Sequence, residues 1–419
     1  MVFLNGGTRM QGRQIVITST NSISELGYGN SEMWSNILRG KQGFSKKYKT
    51  TAPRQTSFSG EVDRAKIQSD YFSSKEFDYL DDMAKFAVSA TLDLAQEERF
   101  FESEMFGYDP FRIGVNIGVG LFGLGKMSEA SKFFLNKDYS KVSYHHLASM
   151  IPNSAPAQIS IKLGTKGIST SASSACSSSL IAIKQSYLEI AGGFHDMMIT
   201  GGVDAPLEDV WHLGFSKLAL ADSSSENGCK PFSSDRNGTV SAEGAGIIFL
   251  EERENALKRG ANIQAEIVGF SSTSDSFHNL AMEPSAEAPI RAMESALKMA
   301  NLNPSDIDWI GSHSPGTKKG DIYESKAISK VFGEKTPPVT ALKSYFGHTI
   351  GASGVNEMIA MIESAKRGMI IPTLNLTNID GNSQINHCLE VKECNVRYIL
   401  KNSFGFGGTN SSVILKINK

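Results

Sequence analysis

Short runs of β-branched residues recur along this chain, each followed by a longer stretch with helical patterning: Arg13–Thr18, Arg112–Ile117, Met197–Thr200, Gly246–Glu251, Ala265–Gly269 and Ser412–Ile417. Strands separated by helices bury their apolar surface by stacking in layers, so the alternation predicts a layered α/β architecture. The chain has 419 residues, 40% of them hydrophobic, enough for two domains or one large core. The charged, glycine-terminated stretch Glu252–Gly260 precedes the fresh strand at Ala265 and divides the chain into residues 1–260 and 261–419. In each part a strand leads through small residues into a helix, at Ser171–Ile190 and again at Val339–Arg367, which suggests duplication. The second helix is stopped by Gly368, with Pro372 soon after. No low-complexity linker separates the parts, so they are expected to pack as one body.

Global charge excludes some functions. A net charge of −2, from 42 basic and 44 acidic residues, gives no overall reason to bind nucleic acid or an anionic membrane. An acidic partner would have to meet a local patch. The cysteines Cys176, Cys229, Cys388 and Cys394 lack the paired spacing of disulfides or a zinc site. Met1–Asn5 carries only a short apolar patch, and no run supplies the roughly 18 apolar residues of a membrane span. The expectation is a cytoplasmic protein.

Cys176 lies among small residues in Ser171–Leu180, directly before a helical pattern carrying Leu180, Ile181, Ile183, Tyr187, Leu188 and Ile190. A sulfur at a helix N-terminus meets unpaired N–H groups and the positive end of the dipole, which favour the nucleophilic thiolate. A small cysteine buried in a tight strand-to-helix turn fits the same segment. Gly118, Gly120 and Gly123 match a dinucleotide fingerprint after a strand, but the acidic residue about 20 positions on, Asp138, lies in a polar stretch instead of ending a second strand. Nucleotide binding is therefore disfavoured.

His313, in Gly311–Asp321, and His348, in Leu342–Gly354, sit in glycine-flanked loops that open towards helices. With one reactive-looking cysteine elsewhere, they have the composition of a nucleophile and its acid/base or hydrogen-bonding partners. The glycine-rich segment Asn402–Asn410 leads into the final strand, and its bare N–H groups are placed to hold a developing oxyanion. His145, His146, His195, His212, His278 and His387 have no comparable setting and are read as structural or surface residues.

Together these segments resemble the elongating β-ketoacyl-[acyl-carrier-protein] synthases, type II ketosynthases of the thiolase superfamily. The likeness runs almost the whole chain through Ile15–Thr18, Lys230–Gly238 with Ala242–Gly246, Ala265–Gly269 and the final glycine loop, with Cys176, His313 and His348 in the expected order. It implies a five-layer αβαβα thiolase-like fold with two similar halves, and an obligate dimer. It implies decarboxylative condensation with malonyl-acyl carrier protein, in fatty-acid or type II polyketide biosynthesis, polyene synthesis included. No metal and no bound cofactor are implied; the phosphopantetheine belongs to the acyl carrier protein.

The resemblance also assigns roles. Cys176 would take the acyl chain, and the N–H groups of Cys176 and Phe404 would form the oxyanion hole, with the Phe404 ring gating the pocket. His313 and His348 would stabilise the enolate, His348 carrying its proton on Nε2. Lys343 and Glu357 would orient this cluster. Thr317 would contact substrate, and Leu121 and Phe122, in the loop Gly118–Gly125, would reach the dimer interface and the far end of the acyl pocket.

Three positions depart from the family pattern. Ser179 and Ser314 stand where glycine is usual, and Pro315 stands where threonine is usual, removing a hydroxyl and a backbone donor near the expected pantetheine path. A non-condensing chain-length-factor-like subunit is the competing implication, and such a subunit lacks the cysteine. A thiolase would carry a second cysteine near the final loop, where this chain has none. The partner subunit, a second copy or a chain-length-factor-like protein, is left open.

Overall fold

A computed structural model describes residues 13–45, 58–221 and 227–418; the Met1–Asn5 patch lies outside the described residues. All six strands expected from the sequence are present. They are β1 (Ile15–Ser24), β2 (Ile113–Val119), β4 (Met197–Asp204), β5 (Gly244–Glu252), β6 (Ala265–Ser274) and β10 (Thr409–Ile417), joined by β3 (Ser169–Ala172), β7 (Trp309–Gly311), β8 (Val339–Thr340) and β9 (Tyr398–Gly405). β1, β2, β4 and β5 are buried along their whole length, which explains why they read as continuous apolar runs without alternation.

The strand order is β3-β2-β4-β5-β1-β6-β10-β9-β7-β8, and its midpoint is the antiparallel junction of β1 with β6. Outward from that junction the two sides repeat one pattern. β1–β5 and β5–β4 are antiparallel, then β4–β2 and β2–β3 are parallel. β6–β10 and β10–β9 are antiparallel, then β9–β7 and β7–β8 are parallel. The duplication suggested by two strand-to-helix segments is thus written in the sheet.

Helices α1 (Asp82–Glu97) and α2 (Ser154–Leu163) cover the outer face of the first half, and α4 (Glu287–Ala300) and α5 (Lys318–Phe332) that of the second. Between the halves lie α3 (Ser178–Ala191) and α6 (Ser353–Lys366), which pack on each other and on strands of both halves. α6 is buried from Ser353 to Ala365 on every side. A helix buried on every side is mostly apolar or small, as its Gly354, Val355, Met358, Ile359, Ala360, Met361 and Ile362 are, and its buried Glu357 is paired instead with Lys343 and Lys401. The result is the five-layer αβαβα arrangement. α3 and α6 each follow an edge strand, β3 and β8, so equivalent strand-to-helix turns from the two halves meet in the middle layer.

Candidate active site

Both turns are backbone-strained. Ala175 and Ile350 adopt left-handed φ values of 49° and 47°, rare for residues with a Cβ. Ala175 turns the chain out of β3 so that Cys176 precedes the first residue of α3, Ser178, and Ile350 does the same after His348, ahead of α6. The two turns bring His348 Nε2 to 3.1 Å from Cys176 Sγ. His313 joins them from the loop after β7, its ring edge-on to that of His348 with centroids 5.5 Å apart. One donor atom from each of Cys176, His313 and His348 lies within 4.8 Å of the others.

The hydrogen bonds fix the tautomer of His348. Ile350 N–H donates to Nδ1 at 3.3 Å, and Ser353 Oγ lies 2.8 Å from the same nitrogen. Nδ1 is therefore an acceptor, and the ring proton sits on Nε2, facing the sulfur. Burial, then the nearby Lys343 and Lys401 ammonium groups, hold the His348 pKa well below its ordinary value; burial, Lys343, His348 and Lys401 do the same to His313. Both rings are neutral donors.

For Cys176 the structure corrects the sequence expectation. The sulfur does sit at a helix start, and the N–H groups of Phe406 and Cys176 favour its anion, as does Lys343. Burial outweighs them all and pushes the thiol up to about 12. With its pKa at about 12, Cys176 rests as a thiol, because desolvation of the buried sulfur outweighs the dipole and amides.

A second correction concerns the final glycine segment. Phe404 is not in a loop: it belongs to β9, opposite Asn410 of β10. The backbone N–H that joins that of Cys176 at the sulfur belongs to Phe406, in the turn beyond the strand. The Phe404 ring packs near His313, with centroids 6.0 Å apart, whereas the Phe406 ring lies with Phe215, Ile350 and Leu121. Ser403 Oγ donates to Cys176 O at 2.8 Å and fastens β9 to the nucleophile turn.

Lys343 and Glu357 are both fully buried, with Nζ to Oε1 at 2.6 Å. Sequence reasoning missed their third member. Lys401 Nζ lies 2.7 Å from the other Glu357 oxygen and donates to Ser312 O at 2.9 Å and Asn402 O at 2.8 Å. Two ammonium groups share one carboxylate, and the surplus positive charge adds to burial in depressing the histidines. Glu324, also unremarked in the sequence, accepts from His313 N at 2.9 Å, Ser314 N at 2.7 Å and Asn402 Nδ2 at 3.1 Å. A lysine inside a strand and a glutamate inside a helix carry no local signal of such roles.

The departures from the family pattern have structural places. Ser314 Oγ donates to Glu324 at 2.7 Å, and Ser179 Oγ accepts from Val355 N at 3.2 Å, joining α3 to α6. Pro315 lines a cavity of about 70 Å³ together with Cys176, His313, His348, Phe404 and Thr317. The other histidines do not line it. Leu121 packs with Phe215 and Ile350, while Phe122 points outward and is 42% exposed. The N–H groups of Gly120 and Leu121 are taken by Asp204, at 2.9 and 3.1 Å, which leaves the dinucleotide-like glycines no phosphate cradle. None of the four cysteines is in a disulfide.

Comparison with known proteins agrees with this geometry. A family description of the beta-ketoacyl synthase N-terminal domain matches residues 12–256, and that of the C-terminal domain matches residues 264–377. The chain is 33% identical over 412 residues to a 3-oxoacyl-[acyl-carrier-protein] synthase 2 of Staphylococcus aureus, covering 97% of this chain and 99% of that protein. Among solved structures it resembles a type II polyketide ketosynthase in complex with its acyl carrier protein and bound to the hexaketide, with TM-score 0.87, 27% identity, and 98% and 100% of the two chains covered. It also resembles the ishigamide ketosynthase/chain length factor, with TM-score 0.89, 25% identity, and 97% and 100% covered.

Proposed function

The chain belongs to the β-ketoacyl synthase family, and on that premise we propose that it condenses an acyl group held on Cys176 with malonyl-acyl carrier protein. One observation carries the reading: an Nε2–H of a neutral histidine lies 3.1 Å from a cysteine sulfur in an apolar cavity, with a second neutral histidine beside it.

In the first half-reaction the sulfur attacks the thioester carbonyl of the acyl carrier. The new carbon–sulfur bond forms, the bond to pantetheine breaks, and the pantetheine thiol leaves with the proton given up by Cys176. The N–H groups of Cys176 and Phe406 receive the oxyanion. In the second, the malonyl carbon–carbon bond breaks, carbon dioxide leaves, and the electron pair becomes an enolate whose oxygen takes hydrogen bonds from His313 and His348. The enolate carbon attacks the acyl-Cys176 carbonyl, the carbon–sulfur bond breaks with its electron pair on sulfur, β-ketoacyl-carrier protein is released, and the Cys176 thiolate takes up a proton from solvent to restore the thiol. Lys343, Lys401 and Glu357 hold the loops that carry the histidines, and the lysine charge reinforces the burial that keeps the rings neutral. Thr317, half-buried at the cavity wall, contacts the phosphopantetheine arm of the carrier.

The proposed assembly is a dimer, with a second copy or with a chain-length-factor-like subunit. β3 is an edge strand, and Phe134, Leu135, Tyr144 and Leu147 are exposed on the same half of the chain. Residues 1–260 and 261–419 act as the nucleophile half and the histidine half. The pathway is fatty-acid or type II polyketide synthesis in the cytoplasm, and no helix among the described residues is long and apolar enough to cross a membrane. Mass spectrometry of the intact protein after incubation with a series of acyl-carrier proteins tests the reading. One acyl group on Cys176, discharged by malonyl-carrier protein, is expected; no adduct with any acyl carrier overturns it.

A further inference from the structure

The cavity at Cys176 contains a buried hydroxyl that the catalytic geometry above does not use. Thr239 is 1% exposed, lines the cavity, and its Oγ1 has no hydrogen-bond partner of ordinary geometry among the described residues. Its polar neighbour is the Cys229 sulfur, a weak acceptor whose own S–H is directed to Pro315 O at 3.3 Å. Pro315 has no N–H to offer. Among the other polar groups of the wall, His313 Nδ1 is also without a partner, and its ring is already assigned to the thioester oxygen, whereas Asp275 accepts from Tyr323 Oη at 3.2 Å and from Asn410 Nδ2 at 2.7 Å. An orphaned buried hydroxyl is destabilising unless a ligand completes it.

Its position says which part of a ligand that is. The segment after Thr239 runs beside the backbone of His348: His348 N donates to Val240 O at 2.6 Å, and Ala242 N donates to His348 O at 3.0 Å. Thr239 therefore stands on the malonyl side of the cavity. The two histidines serve the thioester oxygen, where enolate charge appears. The malonyl carboxylate is a second anion in an apolar cavity, and an unpaired anion there is costly.

We propose that the Thr239 hydroxyl donates a hydrogen bond to the malonyl carboxylate and holds the bound substrate in its ground-state pose. This rests on the synthase reading above. As the carbon–carbon bond breaks, its electron pair passes to the enolate and the carboxylate departs as neutral carbon dioxide, so the hydrogen bond weakens towards the transition state. Thr239 is thus a substrate-orienting residue whose interaction belongs to the ground state. Its loss raises KM for malonyl-carrier protein without lowering kcat.

The test measures carbon dioxide release from malonyl-acyl carrier protein and, separately, acyl transfer to Cys176. It compares the unchanged protein with Thr239→Val and Thr239→Ala, which lack the hydroxyl, and Thr239→Ser, which keeps it. Expected is a KM for malonyl-carrier protein about tenfold higher in the first two, as for a hydrogen bond to a charged group, with kcat undiminished and KM restored in Thr239→Ser. An unchanged KM in both hydroxyl-free variants overturns the proposal. So does a parallel fall in both half-reactions, which would mark Thr239 as a shape element. Failure of the unchanged protein to load acyl groups on Cys176 would instead overturn the synthase reading itself.

Discussion

His348 Nε2 and Cys176 Sγ are 3.1 Å apart although 172 residues separate them in the chain. Each sits on a turn strained by a left-handed residue, Ile350 in one and Ala175 in the other, and the turns come from equivalent places in the two halves. A nucleophile from one half is thereby matched to a donor from the other.

Cys176→Ala is expected to abolish both self-acylation and condensation, since the adjoining Ala175 and Ser177–Ser179 carry no thiol to hold a thioester. Peptide mapping after exposure to acyl-carrier protein checks this. Label retained on another residue of the variant would refute the assignment.

His313→Ala and His348→Ala are each expected to slow malonyl decarboxylation by roughly 10²–10³-fold, the usual loss for one oxyanion donor, and acyl loading by less. The two half-reactions are assayed separately. Unchanged decarboxylation in both variants would remove the proposed roles.

The pH behaviour of Cys176 follows from its burial. With the thiol pushed up to about 12 from an ordinary 9.0, alkylation by iodoacetamide, mapped to Cys176, should rise about tenfold per pH unit through pH 9 without levelling. The folded-state pKa is raised, so the stability this group contributes is present below 9.0 and lost as pH rises towards 12. For His313 and His348 the sign is opposite: their folded-state values are depressed, so their contribution is present above 6.5 and lost as pH falls below it. A rate plateau near neutrality would contradict the burial argument.

Glu357→Ala would leave Lys343 and Lys401 buried without their shared carboxylate. Removing one partner of a buried ion pair typically costs about 3–5 kcal/mol, and denaturant unfolding should show a loss of that size. A change within about 0.5 kcal/mol would mean that the lysines find other partners.

Leu121 and Phe122 should separate two effects. Leu121→Ala opens space in the apolar cluster beside Phe406 and is expected to lengthen the accepted acyl chain, read from product length. Phe122, 42% exposed in the single chain, is expected to act on subunit pairing, so Phe122→Gly should change native mass and leave product length alone. The reverse pattern would place the Phe122 ring in the pocket.

The sequence by itself determined the layered α/β class, six strands, and the cysteine and two histidines of the site, because these are local signals: β-branched runs, helix starts and glycine-flanked loops. It also carried a trace of the duplication, in the segments around Cys176 and His348. Only the tertiary structure decided what depends on distant residues. Lys401 reaches Glu357 from 44 positions away, and Glu324 clamps the His313 loop from the adjoining helix. The second sulfur-directed amide fell to Phe406 because β9 extends through Gly405 and holds Phe404 in the strand. The state of Cys176 was decided in the same way. A helix start is visible in sequence, but burial by two sheets is not, and desolvation in that interior outweighs the dipole that the sequence displays.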